Sequence, residues 1–231
     1  MVIAIATSAE RSCLARMTRV GNHARLVQTG PGSVAEVGLS RAAPIDGVAG
    51  LISAGTAAGL KPTLKPGTIL LPERVAADGD REFAVHPQWH GQLYEALSAL
   101  GEIETGLLVS VANVLTNPTA KQRLHARTGA SAADMESAAL AAAARGRKIP
   151  FVVLRVVMDA AQDRVPGAAA AGLGADGSLQ LLAMLRALAG RPSDLGMLIT
   201  SSVRFFSASV ALGRAFGAVA SQLLPPDSMR R

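Results

Sequence analysis

Cysteine is almost missing from this chain: Cys13 is alone among 231 residues. One thiol can build neither a disulfide framework nor a thiolate metal site, so the chain reads as a protein of a reducing compartment. Histidine is scarce as well. His23, His86, His90 and His125 show no ligand spacing with acids or with Cys13, so no metal is expected. Aromatics make up 3% of the residues against 49% hydrophobic residues overall, so the core has to be built from Ala, Val, Leu and Ile. Such a core suits close packing of helices on a sheet. No charge-free apolar run approaches the roughly 20 residues that span a bilayer. The start Met1-Val-Ile-Ala-Ile-Ala lacks the basic residues of a signal peptide and reads as a first strand. A cytoplasmic protein is expected.

Acidic residues are the minority, and the net charge is +6. The excess is not spread over a nucleic-acid-binding face. Residues 186–231 hold Arg186, Arg191, Arg204, Arg214, Arg230 and Arg231 against Asp194 and Asp227, so this tail supplies +4 of the +6. No cluster of basic residues is interleaved with aromatics, and no nucleic-acid motif is present, which argues against a nucleic-acid partner.

The pattern of apolar residues predicts alternating strands and helices. Strands are expected at 2–7, His23–Thr29, Gly47–Ser53, Gly67–Leu71, Gly106–Val111 and Phe151–Asp159. Helices are expected from Ser8 to about Val20, from Gly32 to about Ala42, and over Gln88–Leu100. Ser53-Ala-Gly-Thr-Ala-Ala-Gly59 reads as a small-residue turn, and Asp78-Gly-Asp-Arg81 as a turn between two extended pieces. This alternation calls for an α/β fold with a mixed or parallel sheet covered on both faces. One boundary stays open. Ser131-Ala-Ala-Asp134 fits a capping box that would start a helix before Glu136.

After Gly190-Arg-Pro192 the composition shifts. Residues 194–224 are apolar, with Arg204 and Arg214 spaced among Leu198, Phe205, Phe206, Leu212 and Phe216. They read as a basic amphipathic helix or helix pair. The chain is thus divided into an α/β domain over 1–192 and a C-terminal amphipathic extension over 193–231, packed on the domain, on a second subunit in a homo-oligomer, or peripherally on the inner membrane.

Two acidic residues stand out. Ala133-Asp-Met-Glu136-Ser-Ala-Ala139 leads an alanine-rich stretch, and the apolar run Phe151-Val-Val-Leu-Arg-Val-Val-Met-Asp159 ends in an aspartate. Gly146-Arg-Lys-Ile-Pro150 between them is a helix stop followed by a strand start. Glu136 and Asp159 are thereby placed at the carboxyl-end edge of one sheet, where open α/β folds bind ligands. Desolvation at a strand end raises the pKa of an aspartate and suits it to general-acid work. Arg155, inside the strand, is expected to pair with a carboxylate rather than to touch substrate. Ser53 has no Gly-x-Ser-x-Gly elbow around it, and the first strand-turn lacks the three-glycine dinucleotide fingerprint.

Over about residues 1–190 the chain resembles the nucleoside phosphorylase and nucleosidase superfamily, and within it the hopanoid-associated phosphorylase-like group. The segments that carry the resemblance are Leu51-Ile-Ser-Ala-Gly-Thr-Ala-Ala-Gly-Leu60, Leu64-Lys-Pro-Gly-Thr68, Lys121-Gln-Arg-Leu-His-Ala-Arg-Thr-Gly129, Asp134-Met-Glu-Ser137 and Leu154-Arg-Val-Val-Met-Asp159. The resemblance implies a single-domain three-layer α/β/α sandwich around a mixed, mostly parallel sheet. Through Asp134-Met-Glu-Ser137 it implies, against the capping-box reading, a strand through 131–134 with the helix beginning at Glu136. It implies cleavage of an adenine nucleoside, with adenosylhopane giving ribosylhopane and adenine in the subgroup. The substrate would be a small-molecule or lipid-linked purine nucleoside.

By the same resemblance Asp159 faces the purine as its acid and Glu136 holds the ribose hydroxyls, with Met135 against the sugar. Glu10 activates water, Ser53, Ala54 and Gly55 lie near the nucleophile, and Asn113 lines the substrate site. No cofactor is implied; phosphate would be a co-substrate in the phosphorolytic alternative. Two departures bear on this. Met158 stands where the superfamily often has a serine that orients the aspartate. Ala49-Gly-Leu-Ile52 offers no cation ahead of the small-residue turn, and Glu10 would repel a phosphate dianion, so the residues favour hydrolysis. The competing reading is a nucleoside-binding or scaffold protein that kept the fold and lost turnover.

Overall fold

The structure is a computed structural model, and it describes residues 1–17, 24–30, 35, 38–39, 47–77, 81–172, 174, 178, 180–220 and 222–226. The Pro31-Gly32 part of the expected glycine turn, most of the helix expected after it and the turn at 78–80 lie outside these residues. In chain order the elements are β1 (Val2–Ile5), α1 (Ser8–Met17), β2 (Arg25–Gln28), β3 (Leu51–Gly59), β4 (Ile69–Leu70), β5 (Arg74–Ala77), β6 (Glu82–Ala84) and α2 (Pro87–Ser98). They continue with β7 (Ile103–Glu104), β8 (Leu108–Ser110), α3 (Pro118–Thr128), β9 (Ala132–Asp134), α4 (Ser137–Gly146) and β10 (Phe151–Asp159). Short α5 (Gly167–Ala171), α6 (Leu181–Gly190) and the long α7 (Leu195–Ala218) complete the chain.

Among the described residues all ten strands belong to one sheet, with the order β6-β5-β8-β9-β3-β10-β4-β7 and with β1 joining β3 to β2. Parallel pairings outnumber antiparallel ones six to three, so the sheet is mixed and mostly parallel. The fold is the single-domain α/β fold expected from the alternation of elements. β3 is its hub. Along one edge it pairs with β10 from Leu51↔Phe151 to Ala58↔Asp159. Along the other it pairs first with β1, from Leu51↔Val2 to Ala54↔Ile5, and then with β9 through Ala58↔Ala133 and Gly59↔Ala132.

The expected small-residue turn at 53–59 is therefore a strand. Small side chains read as a turn in isolation, but β9 and β10 supply backbone partners up to Gly59 and keep the chain extended. The open boundary near 131 is also decided. Ala132–Asp134 is strand, and Glu136 is the N-cap residue of α4 without making a side-chain cap bond. The cap comes from Asp134, whose carboxylate accepts from Ser137 N at 3.1 Å.

Helix ends follow local rules. α2 and α3 each begin with a proline, and α3 is capped by the Asn117 side chain accepting from Ala120 N at 2.8 Å. Gly129 ends α3 at a left-handed φ of 67°, a conformation that glycine adopts without strain. Trp89, Leu93 and Leu97 form the inward stripe of α2, and Lys121 and Leu124 that of α3.

The boundary expected at 192/193 does not separate an extension from the domain. The second half of α7 is a core helix: Ala208, Leu212, Ala215 and Phe216 are buried in the main hydrophobic cluster with β3 and β10 residues. Its first half is bare, with Ile199, Val203 and Phe206 about 60% exposed. α7 has 24 residues, and an 18-residue stretch of it has a mean hydropathy of 1.5, long and apolar enough by length and composition to cross a membrane. Arg204 and Arg214 interrupt it, so no charge-free run within it reaches that length, as expected. Phe206 and Phe216, expected on one apolar face, lie in opposite environments. Phe216→Ala is expected to destabilise the domain by about 3–5 kcal/mol. Phe206→Ala should change stability by no more than about 0.5 kcal/mol. Urea denaturation of both variants measures this, and equal small losses would show that α7 is not part of the core.

Candidate active site

A cavity of about 160 Å³ opens where β1, β3, β8, β9 and β10 end. Its walls include Thr7 and Glu10 after β1, Thr56–Ala58 of β3, Asn113 after β8, Met135 and Glu136 after β9, and Met158 and Asp159 of β10. Five of the expected site residues, Glu10, Asn113, Met135, Glu136 and Asp159, are thus brought together. Three are not. Ser53, Ala54 and Gly55 are buried inside β3, and the Ser53 hydroxyl is already engaged by Ser137 at 2.9 Å and by Arg155 at 3.0 Å.

The topology explains the convergence. β9 runs antiparallel to β3 and carries the chain back from Gly59 toward Thr56, which delivers Asp134, Met135 and Glu136 beside the middle of β3. At the end of β10 the register slips: Val157 pairs with Ala57, yet Asp159 pairs with Ala58. Such a bulge re-aims side chains, and here Met158 and Asp159, successive residues, both line the cavity.

Beneath the cavity lies Arg155, 1% exposed. Its guanidinium meets Asp134 Oδ2 at 2.8 Å and Glu136 Oε2 at 2.9 Å, and donates to Thr56 O, Ser53 Oγ and Ser137 Oγ. The expectation that Arg155 pairs with a carboxylate is met twice over. Burial opposes its charge, but Asp134, Glu136 and Glu10 outweigh burial and hold its pKa above the ordinary value. Gly55 is required here. Its φ is +150°, and a Cβ would stand 2.9 Å from Glu10 Oε1 and 3.0 Å from Arg155 Nη1.

One guanidinium cannot neutralise every carboxylate around it. Burial pushes the Glu136 carboxyl up to about 8; Arg155 pulls against this, and Asp134 and Glu10 add to it. Glu10 is held differently. Oε1 accepts from Thr56 N and Oγ1, both at 2.8 Å, and Oε2 from Thr7 N at 3.2 Å and Thr7 Oγ1 at 3.0 Å. These four donors fill the carboxylate and tie α1 to β3. The two threonine hydroxyls can rotate away and release an oxygen to a water.

Asp159 is buried at the far wall, paired with Lys121. Burial pushes its carboxyl above the usual aspartate value, while Lys121 opposes the rise. Lys121 is itself fully buried, and its ammonium also donates to Ala160 O at 2.8 Å and Asp163 O at 3.1 Å. Asp163 is tied in turn to α7 by Arg204 at 2.9 Å. Among the described residues no cluster of three or more His, Cys, Asp or Glu could hold a metal ion.

A family profile described as the phosphorylase superfamily matches residues 6–180. The chain belongs to the phosphorylase superfamily. Its fold is similar to that of futalosine hydrolase from Helicobacter pylori, at 14% identity and a TM-score of 0.69, covering 96% of this chain and 97% of that one. The 5′-methylthioadenosine/S-adenosylhomocysteine nucleosidase of Neisseria meningitidis, in complex with methylthio-immucillin-A, matches with TM-score 0.69 at 17% identity over 96% and 98% of the two chains. The corresponding nucleosidase of Colwellia psychrerythraea, in complex with adenine, matches with TM-score 0.69 at 20% identity over 96% and 95%. At these identities the likeness is one of fold. No curated protein sequence matches the chain.

In this superfamily member the residues that sequence reasoning passed over are Lys121, Asp134, Ser137, Thr7 and Thr56. Lys121 left a signal: it stands three residues before Leu124 on the inward stripe of α3, where a lysine needs a buried partner. Glu136 generates a pH prediction. A carboxyl whose folded pKa is raised binds more protons in the native state between its unfolded value, about 4.3, and its folded value of about 8. Its contribution to stability is complete below that window and is lost as pH rises through it. The stability of Glu136→Gln relative to the parent should therefore rise between pH 5 and pH 9, roughly the edges of this window. A stability difference that stays constant across that range would remove the assignment.

Proposed function

We propose that this chain cleaves the N-glycosidic bond of an adenine nucleoside by water attack at C1′. The observation that carries this reading is the convergence of Glu10, Glu136 and Asp159, from three separate elements, on one cavity. In the reaction the C1′–N9 bond breaks and its electron pair goes to the purine, which takes a proton at N7 from the Asp159 side. Positive charge builds on the ribosyl group, as in glycoside cleavage generally. Glu136, with Met135 beside it, engages the ribose hydroxyls. Glu10 takes a proton from water as the C1′–O bond forms, once Thr7 or Thr56 releases one of its oxygens. Arg155, the one cation among the described lining residues, is committed to Asp134 and Glu136, and this disfavours a phosphate dianion as nucleophile.

We further propose that the nucleoside carries a lipid aglycone, adenosylhopane giving ribosylhopane and adenine, and that the protein works peripherally at the cytoplasmic face of the inner membrane. The support is the bare apolar surface formed by α6, where Leu182 is 71% exposed, and by the first half of α7, where Phe206 is 62% exposed. Exposed Arg186 and Arg191 accompany it, while Asp194 is buried, so the surface suits anionic lipid. Through Arg204 and Asp163 it adjoins the loop that follows Asp159.

Asp159→Asn is expected to lower adenine release by a factor of roughly 10²–10⁴, with folding followed by circular dichroism because the change leaves buried Lys121 without its carboxylate, and Glu10→Gln to silence the enzyme. Added phosphate should not accelerate the parent; a strict need for phosphate, with ribose 1-phosphate as product, would overturn hydrolysis. For the membrane, the paired change Leu182→Asp and Phe206→Asp should abolish co-sedimentation with phosphatidylglycerol vesicles at low salt and leave cleavage of soluble adenosine unchanged. A parent that ignores such vesicles, or that uses this face to dimerise in solution, would end the membrane reading.

A further inference from the structure

Lys121 is a basic residue that the proposed chemistry does not yet use, and its surroundings are unusual. It is 0% exposed, and a buried lysine persists only where its charge is matched. Its three ammonium hydrogens meet three acceptors: the Asp159 carboxylate, Ala160 O at 2.8 Å and Asp163 O at 3.1 Å. Asp159 lines the cavity and Lys121 does not, so the lysine stands behind the carboxylate, on the side away from substrate. Two of its contacts are to the loop directly after Asp159, and Asp163 Oδ2 further pins that loop by accepting from Ala160 N at 2.8 Å. The residue directly before Asp159 is Met158, which offers no hydrogen-bond donor from its side chain. The orienting donor reaches Asp159 instead from α3, a helix remote in sequence.

We propose that Lys121 is a positioning residue that keeps one transferable proton on the Lys121–Asp159 pair and thereby makes Asp159 the acid of the leaving group. This rests on the N-glycosidic reading of the site. A lone buried aspartate holds or lacks a proton according to the pH. The pair holds one in both of its neutral arrangements, as ammonium with carboxylate or as amine with carboxylic acid. When the C1′–N9 bond breaks and its electron pair moves onto the purine, the proton passes from Nζ to the carboxyl and from the carboxyl to N7. Neutral adenine departs and leaves a free amine beside a carboxylate, and the amine regains a proton from water as the cavity empties. No other reactant enters. Asp163 and Arg204 face the pair from the loop and from α7, and they are bonded to each other, so the local charge they add is nearly balanced.

The test compares two ribosides whose leaving groups differ in their need for a proton. Adenosine requires protonation at N7, whereas 4-nitrophenyl riboside expels a stable anion. Lys121→Met should lower adenosine cleavage by a factor of roughly 10²–10⁴ and leave 4-nitrophenyl riboside cleavage within a few-fold of the parent. Its residual adenosine activity should rise as the pH falls, because an isolated Asp159 must then find its own proton. In an Asp159→Asn background the same change should cost nothing further, since the lysine acts through the aspartate. That double variant buries no unpaired charge, so it remains a test even where Lys121→Met alone does not fold. Equal losses on the two ribosides, or additive losses in the double variant, would reduce Lys121 to a structural role and overturn the proposal. A parent that cleaves neither riboside would bring down the functional reading together with it.

Discussion

The buried guanidinium of Arg155 is the interaction on which the rest of the site depends. Moving an ion of this size out of water costs several kcal/mol, and only good geometry with further hydrogen bonds recovers it. Arg155 has both: two carboxylates, two serine hydroxyls and the Thr56 carbonyl surround it. Each partner is thereby fixed in turn. Asp134 is left with the task of capping α4, Glu136 is freed from it, and Ser53 is turned away from the cavity. Even the backbone obeys, since Gly55 makes room for this arginine and for Glu10.

Around that cation the carboxylates acquire different characters from their surroundings alone. Glu10 sits among four neutral donors, Glu136 among charges that burial leaves unbalanced, and Asp159 beside a lysine from another helix. Carboxylates held by such different partners are suited to different duties within one cavity. The division here is made by second-layer residues, and those differ little from ordinary core residues in type.

This is also why the site was only half legible in the sequence. Met135-Glu136 and the strand-terminal Asp159 could be read because their spacing relative to a helix start and a strand end is local. The same holds for the alternation of elements, which pointed to an α/β sheet. Ser53-Ala-Gly55 misled because small residues look like a turn until the long-range pairing of β3 with β9 and β10 is known. Lys121 pairs across 38 residues and Arg155 reaches Ser53 across 102, so neither partner can be read from the chain, although the place of Lys121 on the inward stripe of α3 can. α7 defeated the reading in another way. Its two halves have similar composition, and only the packing of the second half against β3 and β10 tells them apart.

β3 has a further consequence. It holds β10 along one edge and both β1 and β9 along the other, so its nine residues serve as a ruler against which three neighbours are measured at once. Sliding a strand by one residue exchanges its two faces. A deletion between Ala54 and Ala58 would trade Thr56 for a neighbour without a hydroxyl and set a Cβ against Glu10 and Arg155. It would do so on both edges together, leaving no partner strand in register to absorb the error. The length of this segment is therefore far more constrained than its chemistry, and variation in the protein has to be accommodated in the loops that surround it.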